Sequence, residues 1–167
     1  MPTLTLTLSS AILMGLGATA AFDLWGLFLK RAFKIAPANI CLVGRWVRFM
    51  PAGTFRHSNI ALASPQRAEC TIGWIAHYVI GLTFAGTFVA LAGHSWLQHP
   101  TPLPAIGFGA ITVLAPFLVM QPAMGLGIAA SRTPQPAQAR LRSVMNHLAF
   151  GVGLYLFGGF ASSLLWH

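Results

Sequence analysis

Four long stretches of this chain are nearly free of charge, and no other feature narrows its fold so far. They cover roughly 8–29, 70–93, 104–130 and 144–166. Each reaches about 20 residues, the length of helix that crosses about 30 Å of hydrocarbon. Inside a bilayer the backbone has no water to bond, and a helix satisfies every N–H and C=O within its own segment. Acidic and basic residues together number 12 of 167, while 56% of the chain is hydrophobic. The sequence thus describes an all-α integral membrane protein. Its four transmembrane helices form one bundle in a single domain, 1–167.

A formal net charge of +8 would point a soluble protein toward nucleic acid. The positions of the charges argue otherwise. Lys30, Arg31, Lys34, Arg45, Arg48, Arg56 and Arg67 fall between spans one and two, and Arg132, Arg140 and Arg142 between spans three and four. The N-terminal tail, the 94–102 connection and the C-terminus carry neither Lys nor Arg. The positive-inside rule then places both basic segments in the cytoplasm and both termini outside it. Basic groups at that level meet anionic lipid headgroups, so membrane lipids are the expected partners. A second copy of the chain or another membrane protein is a further expected partner, and no nucleic-acid recognition module is present.

Ala18-Thr19-Ala20 has the small-x-small form of a signal-peptidase site. The region before it lacks positive charge, however, and the apolar run continues through Phe22, Leu24 and Trp25 to Lys30. A retained first span is the expectation. Cys41 and Cys70 sit near the basic side in neither a CxxC nor a zinc spacing. In a reducing compartment they read as small apolar side chains rather than a disulfide. ICLVGRWVRFM (40–50) suits a short interfacial helix between spans one and two, with Val43, Trp46, Val47 and Met50 on its apolar face. Pro51-Ala52-Gly53 reads as a turn. Trp96 and Trp166 suit an outer aromatic belt. Pro116 and Pro122 predict a kink or local unwinding around 113–122. Gly15, Gly17, Ala18 and Ala20 in span one, and Gly151, Gly153, Gly158 and Gly159 in span four, predict close helix packing. His77-Tyr-Val-Ile-Gly81 and His147-Leu-Ala-Phe-Gly151 echo each other, which suggests a 2+2 parallel repeat.

Each span carries one conspicuous polar residue in its cytoplasmic half. At 1.5 Å per residue, Asp23 lies roughly 10 Å from Lys30, His77 roughly 15 Å from Arg67, Gln121 roughly 16 Å from Arg132 and His147 roughly 8 Å from Arg142. Such residues are costly in hydrocarbon and normally face the bundle interior. One reading is a polar tie between helices; the other is an intramembrane site for a small polar or anionic ligand. Arg45, Arg48, Arg56, His57, Arg132 and Arg140 could grip an anion or lipid headgroup, arginine offering a bidentate fork. Two alternatives use other chemistry. His77 and His147 could ligate b-type haem or, with Asp23, a transition metal, in a redox component. A lipid-headgroup-modifying enzyme or a non-catalytic partner subunit completes the set. No HExxH, paired carboxylates, phosphate loop or serine triad is present, so no catalytic residue is assigned, and the cofactor and metal stay unassigned.

Six segments carry a family resemblance: GATAAFDLW (17–25), VGRW (43–46), MPAGTFRHSNI (50–60), GWIAHYVIG (73–81), APFLVMQPAMGLGIAASRTP (115–134) and ARLRSVMNHLAFGVGLYLFG (139–158). Through them the chain resembles the bacterial inner-membrane family called domain of unknown function 2938. The resemblance implies a small multi-span inner-membrane protein with no assigned activity. It directs attention to Asp23, Arg45, Trp46, Arg56, His57, His77, Gln121, Arg132 and His147.

Overall fold

The computed structural model describes residues 2–166, so the C-terminal His167 lies outside the described residues. Six α-helices follow one another, α1 (Pro2–Phe33), α2 (Ile40–Phe49), α3 (Glu69–Gln98), α4 (Pro102–Thr112), α5 (Gln121–Ala123) and α6 (Pro136–Leu165), and no strand occurs among the described residues. Four segments are long and apolar enough to cross a membrane: Thr3–Phe33, Glu69–Gln98, Pro102–Ala123 and Pro136–Leu165. The 30 residues of α6 reach about 45 Å and exceed the hydrocarbon thickness, whereas α3 breaks at Gly93, whose φ is 77°.

The third span departs from a plain helix where its prolines predict. Proline lacks an N–H and clashes with the preceding turn. Pro116–Met120 relaxes into a π turn, closed by the Gln121 N–H bonding the Pro116 carbonyl. The helix then stops at Ala123, although the apolar run continues to 130. Gly125 and Gly127 take positive φ (87° and 76°), and so do Ala129 and Ala130 (47° and 57°). Left-handed backbone cannot propagate a right-handed helix. The expected span end at 130 is therefore corrected to Ala123.

By internal contact the chain divides into two compact units. One comprises Met1–Pro37, Tyr78–Thr112 and Met145–His167; the other comprises Ala38–His77 and Val113–Val144. In the first unit, α1, α4 and the matching parts of α3 and α6 pack around Met14, Ala85, Phe88, Phe150 and Leu154. Small residues set the spacing. A Cβ on Gly17 would overlap the Phe157 ring, and one on Gly109 would overlap the backbone of Gly151. Van der Waals contact of this kind holds helices together where burial from water contributes nothing. Gly159, expected on the same packing surface, instead meets open space. Trp96 is buried against Phe88 at 4.7 Å and donates from Nε1 to the Thr101 carbonyl, so it packs into this core.

The second unit is built on α2 and the start of α3. Asn39 caps α2, its Oδ1 accepting from the Cys41 N–H at 3.0 Å. Residues 50–53 form the expected turn, with Gly53 left-handed at φ 75°. The chain folds back so that Trp46 Nε1 donates to the Phe55 carbonyl at 2.9 Å. Residues 57–60 then lie along the end of the third span: the His57 N–H bonds the Ala123 carbonyl at 2.8 Å, and the Ile60 N–H bonds the Met124 carbonyl at 3.0 Å. A side chain at 125 would overlap the Ser58 carbonyl, which is why that position needs glycine.

Cys41 and Cys70 form a disulfide. This corrects the reading of two separate thiols. Compartment argued against a bond, but proximity decides whether one can form: the Cα atoms lie 3.9 Å apart where α2 crosses α3.

Candidate functional site

The expected intramembrane residues fall in both units, Asp23 and His147 in the first, His77 and Gln121 in the second. In the first unit Asp23 Oδ2 accepts from the Tyr78 hydroxyl at 3.2 Å. His147 Nδ1 lies 2.8 Å from Thr112 Oγ1, and its ring meets Phe22 edge-on with centroids 5.7 Å apart. Thr112 has one hydroxyl proton and gives it to the Gly109 carbonyl at 2.6 Å. Its oxygen is then free to accept from His147 Nδ1 in the tautomer that carries a proton there. Asn146, beside it in sequence, is 5% exposed, and its Oδ1 has no hydrogen-bond partner.

Four helices thus contribute polar groups to this unit, but α3 and α4 do so through residues the sequence did not flag. Tyr78, Thr112 and Asn146 were missed because a hydroxyl or amide inside an apolar helix reads as ordinary core. Thr112 four residues before Pro116, with Asn146-His147 on a later helix, is the one available signal.

In the second unit His77 packs its ring against Trp74, with centroids 5.9 Å apart. Gln121 sits just after the π turn, 7% exposed, and its Oε1 lacks a partner. His57 lies against Phe49 with centroids 4.9 Å apart, and its buried Nε2 also lacks a partner. Arg48, Arg56 and Arg132 are exposed, while Arg140 donates to the Ala129 carbonyl at 2.8 Å.

Arg45 differs from the other arginines. Its Nε and an Nη reach the two Glu69 oxygens, both at 2.8 Å. Its other Nη meets the carbonyls of Ile60, Ala61 and Ala63 at 3.3, 3.3 and 2.9 Å. The hydrogen bonds it donates to Glu69 hold the guanidinium pKa above the ordinary arginine value. All three nitrogens are engaged, so Arg45 ties α2, α3 and the 60–63 segment together. Glu69 thus pairs with Arg45, 24 positions away, and not with Arg67 beside it in sequence.

His77 and His147 each precede by four residues a glycine at a close helix contact. Gly81 packs on Thr19, and Gly151 on the backbone of Ala105 and Ile106. The echo therefore has a packing reason at its glycines. No group of three or more His, Cys, Asp or Glu able to hold a metal occurs among the described residues.

A family model described as protein of unknown function (DUF2938) matches residues 12–161. No curated protein and no solved structure matches the chain.

Proposed function

The chain belongs to the DUF2938 family, and on that premise we propose that this multi-pass membrane protein binds a small polar or anionic ligand entering from its basic side. The site lies in the second unit. The observation that carries the reading is a buried pair of unmatched polar atoms, Gln121 Oε1 and His57 Nε2, on segments joined by the His57–Ala123 backbone bond. Buried polar atoms are normally hydrogen-bonded, and π turns recur at functional positions. His57 offers a donor to an acid oxygen, and the Gln121 amide takes either a donor or an acceptor. The exposed Arg48, Arg56 and Arg132 of the same unit add positive potential that draws an anion toward it. Movement of the ligand across the membrane is part of the proposal, with the π turn and the 124–130 backbone as the segments able to rearrange.

The ligand is sought by native mass spectrometry of protein purified in mild detergent. Wild type is expected to retain a non-lipid adduct. Gln121→Leu and His57→Leu should each lower its occupancy about tenfold, the worth of one good hydrogen bond, with melting temperature little changed. Phospholipid as the sole adduct, or an adduct indifferent to both variants, refutes the reading.

The same proposal places the protein in the inner membrane with 30–67 and 131–142 in the cytoplasm, following the charge asymmetry. Reporter fusions after Pro65 and after Trp166 should give opposite compartment signals. Equal signals, or a cytoplasmic C-terminus, would reverse the side from which the ligand enters.

A further inference from the structure

The chain has two cysteines, and the structure joins them at a place with unusual chemistry. Cys41 is the second residue of α2 and Cys70 the second residue of α3. Both sulfurs therefore belong to the first turn of a helix, where the helix dipole favours negative charge. A thiolate is stabilised there relative to a thiol, and the thiolate is both the nucleophile and the leaving group of disulfide exchange. Cys70 is an exposed residue and Cys41 a half-buried one, which makes Cys70 the more accessible partner for attack from outside.

A second observation separates this pair from a purely structural bridge: the crossing it spans is held by other means. A Cβ on Gly44 would overlap the Glu69 carbonyl oxygen, and one on Gly73 would overlap the Ile40 carbonyl oxygen, so the backbones of α2 and α3 are in direct contact. One turn after Cys41, Arg45 grips Glu69, the residue before Cys70, through two bonds of 2.8 Å. The Gln66 N–H adds a third bond to Glu69 at 2.8 Å. None of these contacts involves the sulfurs. The two thiols remain side by side, and high effective concentration favours closing the bond again.

We propose that Cys41 and Cys70 are a reversible thiol–disulfide exchange site whose substrate is a low-molecular-weight thiol or an accessible protein thiol. An incoming thiolate attacks Cys70 Sγ, the bond to Cys41 Sγ breaks, and Cys41 departs as a thiolate at the α2 N-terminus. A second thiolate attacks the external sulfur of the mixed disulfide, forming the external disulfide and releasing Cys70 as a thiolate. Two thiols are oxidised, the protein pair gains two electrons, and the protons of the thiols pass to the protein sulfurs or to water. The reverse sequence, with the external disulfide as oxidant, closes the pair. The site stands independently of the ligand reading, since it uses neither Gln121 nor His57.

The test uses full-length protein in detergent, equilibrated with reduced and oxidised glutathione, then acid-quenched and labelled with a mass-tagged maleimide. Both cysteines should open and close together in a two-electron transition. Circular dichroism should stay unchanged, and oxidised glutathione should restore the bond. Cys41→Ser should accumulate a glutathione adduct on Cys70. Arg45→Lys, which loses the two-point grip, should slow closure about tenfold, because closure depends on how long the thiols stay adjacent. Cysteines that resist glutathione until the protein is denatured, a fold that melts on reduction, or no adduct on Cys41→Ser would each overturn the proposal.

Discussion

Gly44→Leu is expected to leave little correctly folded protein. A Cβ at this position alone would overlap the Glu69 carbonyl oxygen and crowd the Gly73 amide nitrogen at 2.5 Å. Both obstacles are helix backbone, which cannot swing aside as a side-chain tip would. The four carbons of leucine therefore force α2 away from α3. Overpacking costs about 1–3 kcal/mol where neighbours can adjust, and here the same displacement also stretches the Arg45–Glu69 bonds. At about 2–4 °C per kcal/mol, the upper end of that range lowers the melting temperature by about 10 °C. Thermal unfolding in detergent, with the monodisperse fraction after gel filtration, measures it. Gly86→Leu is the control: a Cβ at Gly86 meets nothing within 4 Å, and its expected effect is small. Equal behaviour of the two variants would mean that the α2–α3 crossing does not hold the second unit together.

That crossing also shows where sequence reading succeeds and where it stops. The four spans were legible because hydrocarbon imposes a length and an apolar composition, and both appear in one dimension. The break at Pro116 was legible because a missing N–H acts locally. Residues 124–130 misled, since Leu126, Ile128, Ala129 and Ala130 are as apolar as a span. What ends the helix there is positive φ at four positions, two of them alanines, for which no local rule prepares. Arg45 was legible as a residue of interest but not as a tether, because its partners lie 15 to 24 positions away. One signal was available. Cys41-Leu-Val-Gly44 and Cys70-Thr-Ile-Gly73 share a small-xx-small pattern, each on the first turn of a helix. Paired patterns of that kind mark two backbones in contact, and contact is also what brings the sulfurs together. In the first unit, the depth argument singled out Asp23 and His147. It could not find Tyr78 or Thr112, because depth says nothing about which face of a helix a residue occupies.

Arg45→Met is expected to be as damaging as the glycine change, for a different reason. The variant keeps most of the side-chain length but removes every donor. Glu69 is then left with the Gln66 N–H as its remaining bond, and the carbonyls of Ile60, Ala61 and Ala63 lose their shared partner. A half-removed ion pair is worse than none, because the surviving charge keeps its desolvation cost without its counterion. Glu69→Leu alone should destabilise by the same logic, stranding the guanidinium. The double variant Arg45→Met/Glu69→Leu should then recover about half of the lost melting temperature, since neighbours sharing one interaction are not additive. Full recovery is not expected, because the three carbonyls remain without their donor. This cycle also separates two roles for Arg45. If the arginine gripped an external anion, Arg45→Met would fold normally and lose only ligand, and Glu69→Leu would strengthen anion binding by removing a competing carboxylate. If it is the tether described above, both single variants lose stability, and the cycle closes with a favourable coupling between them. Additive losses would mean that the two residues do not act on each other, whatever the distance between them.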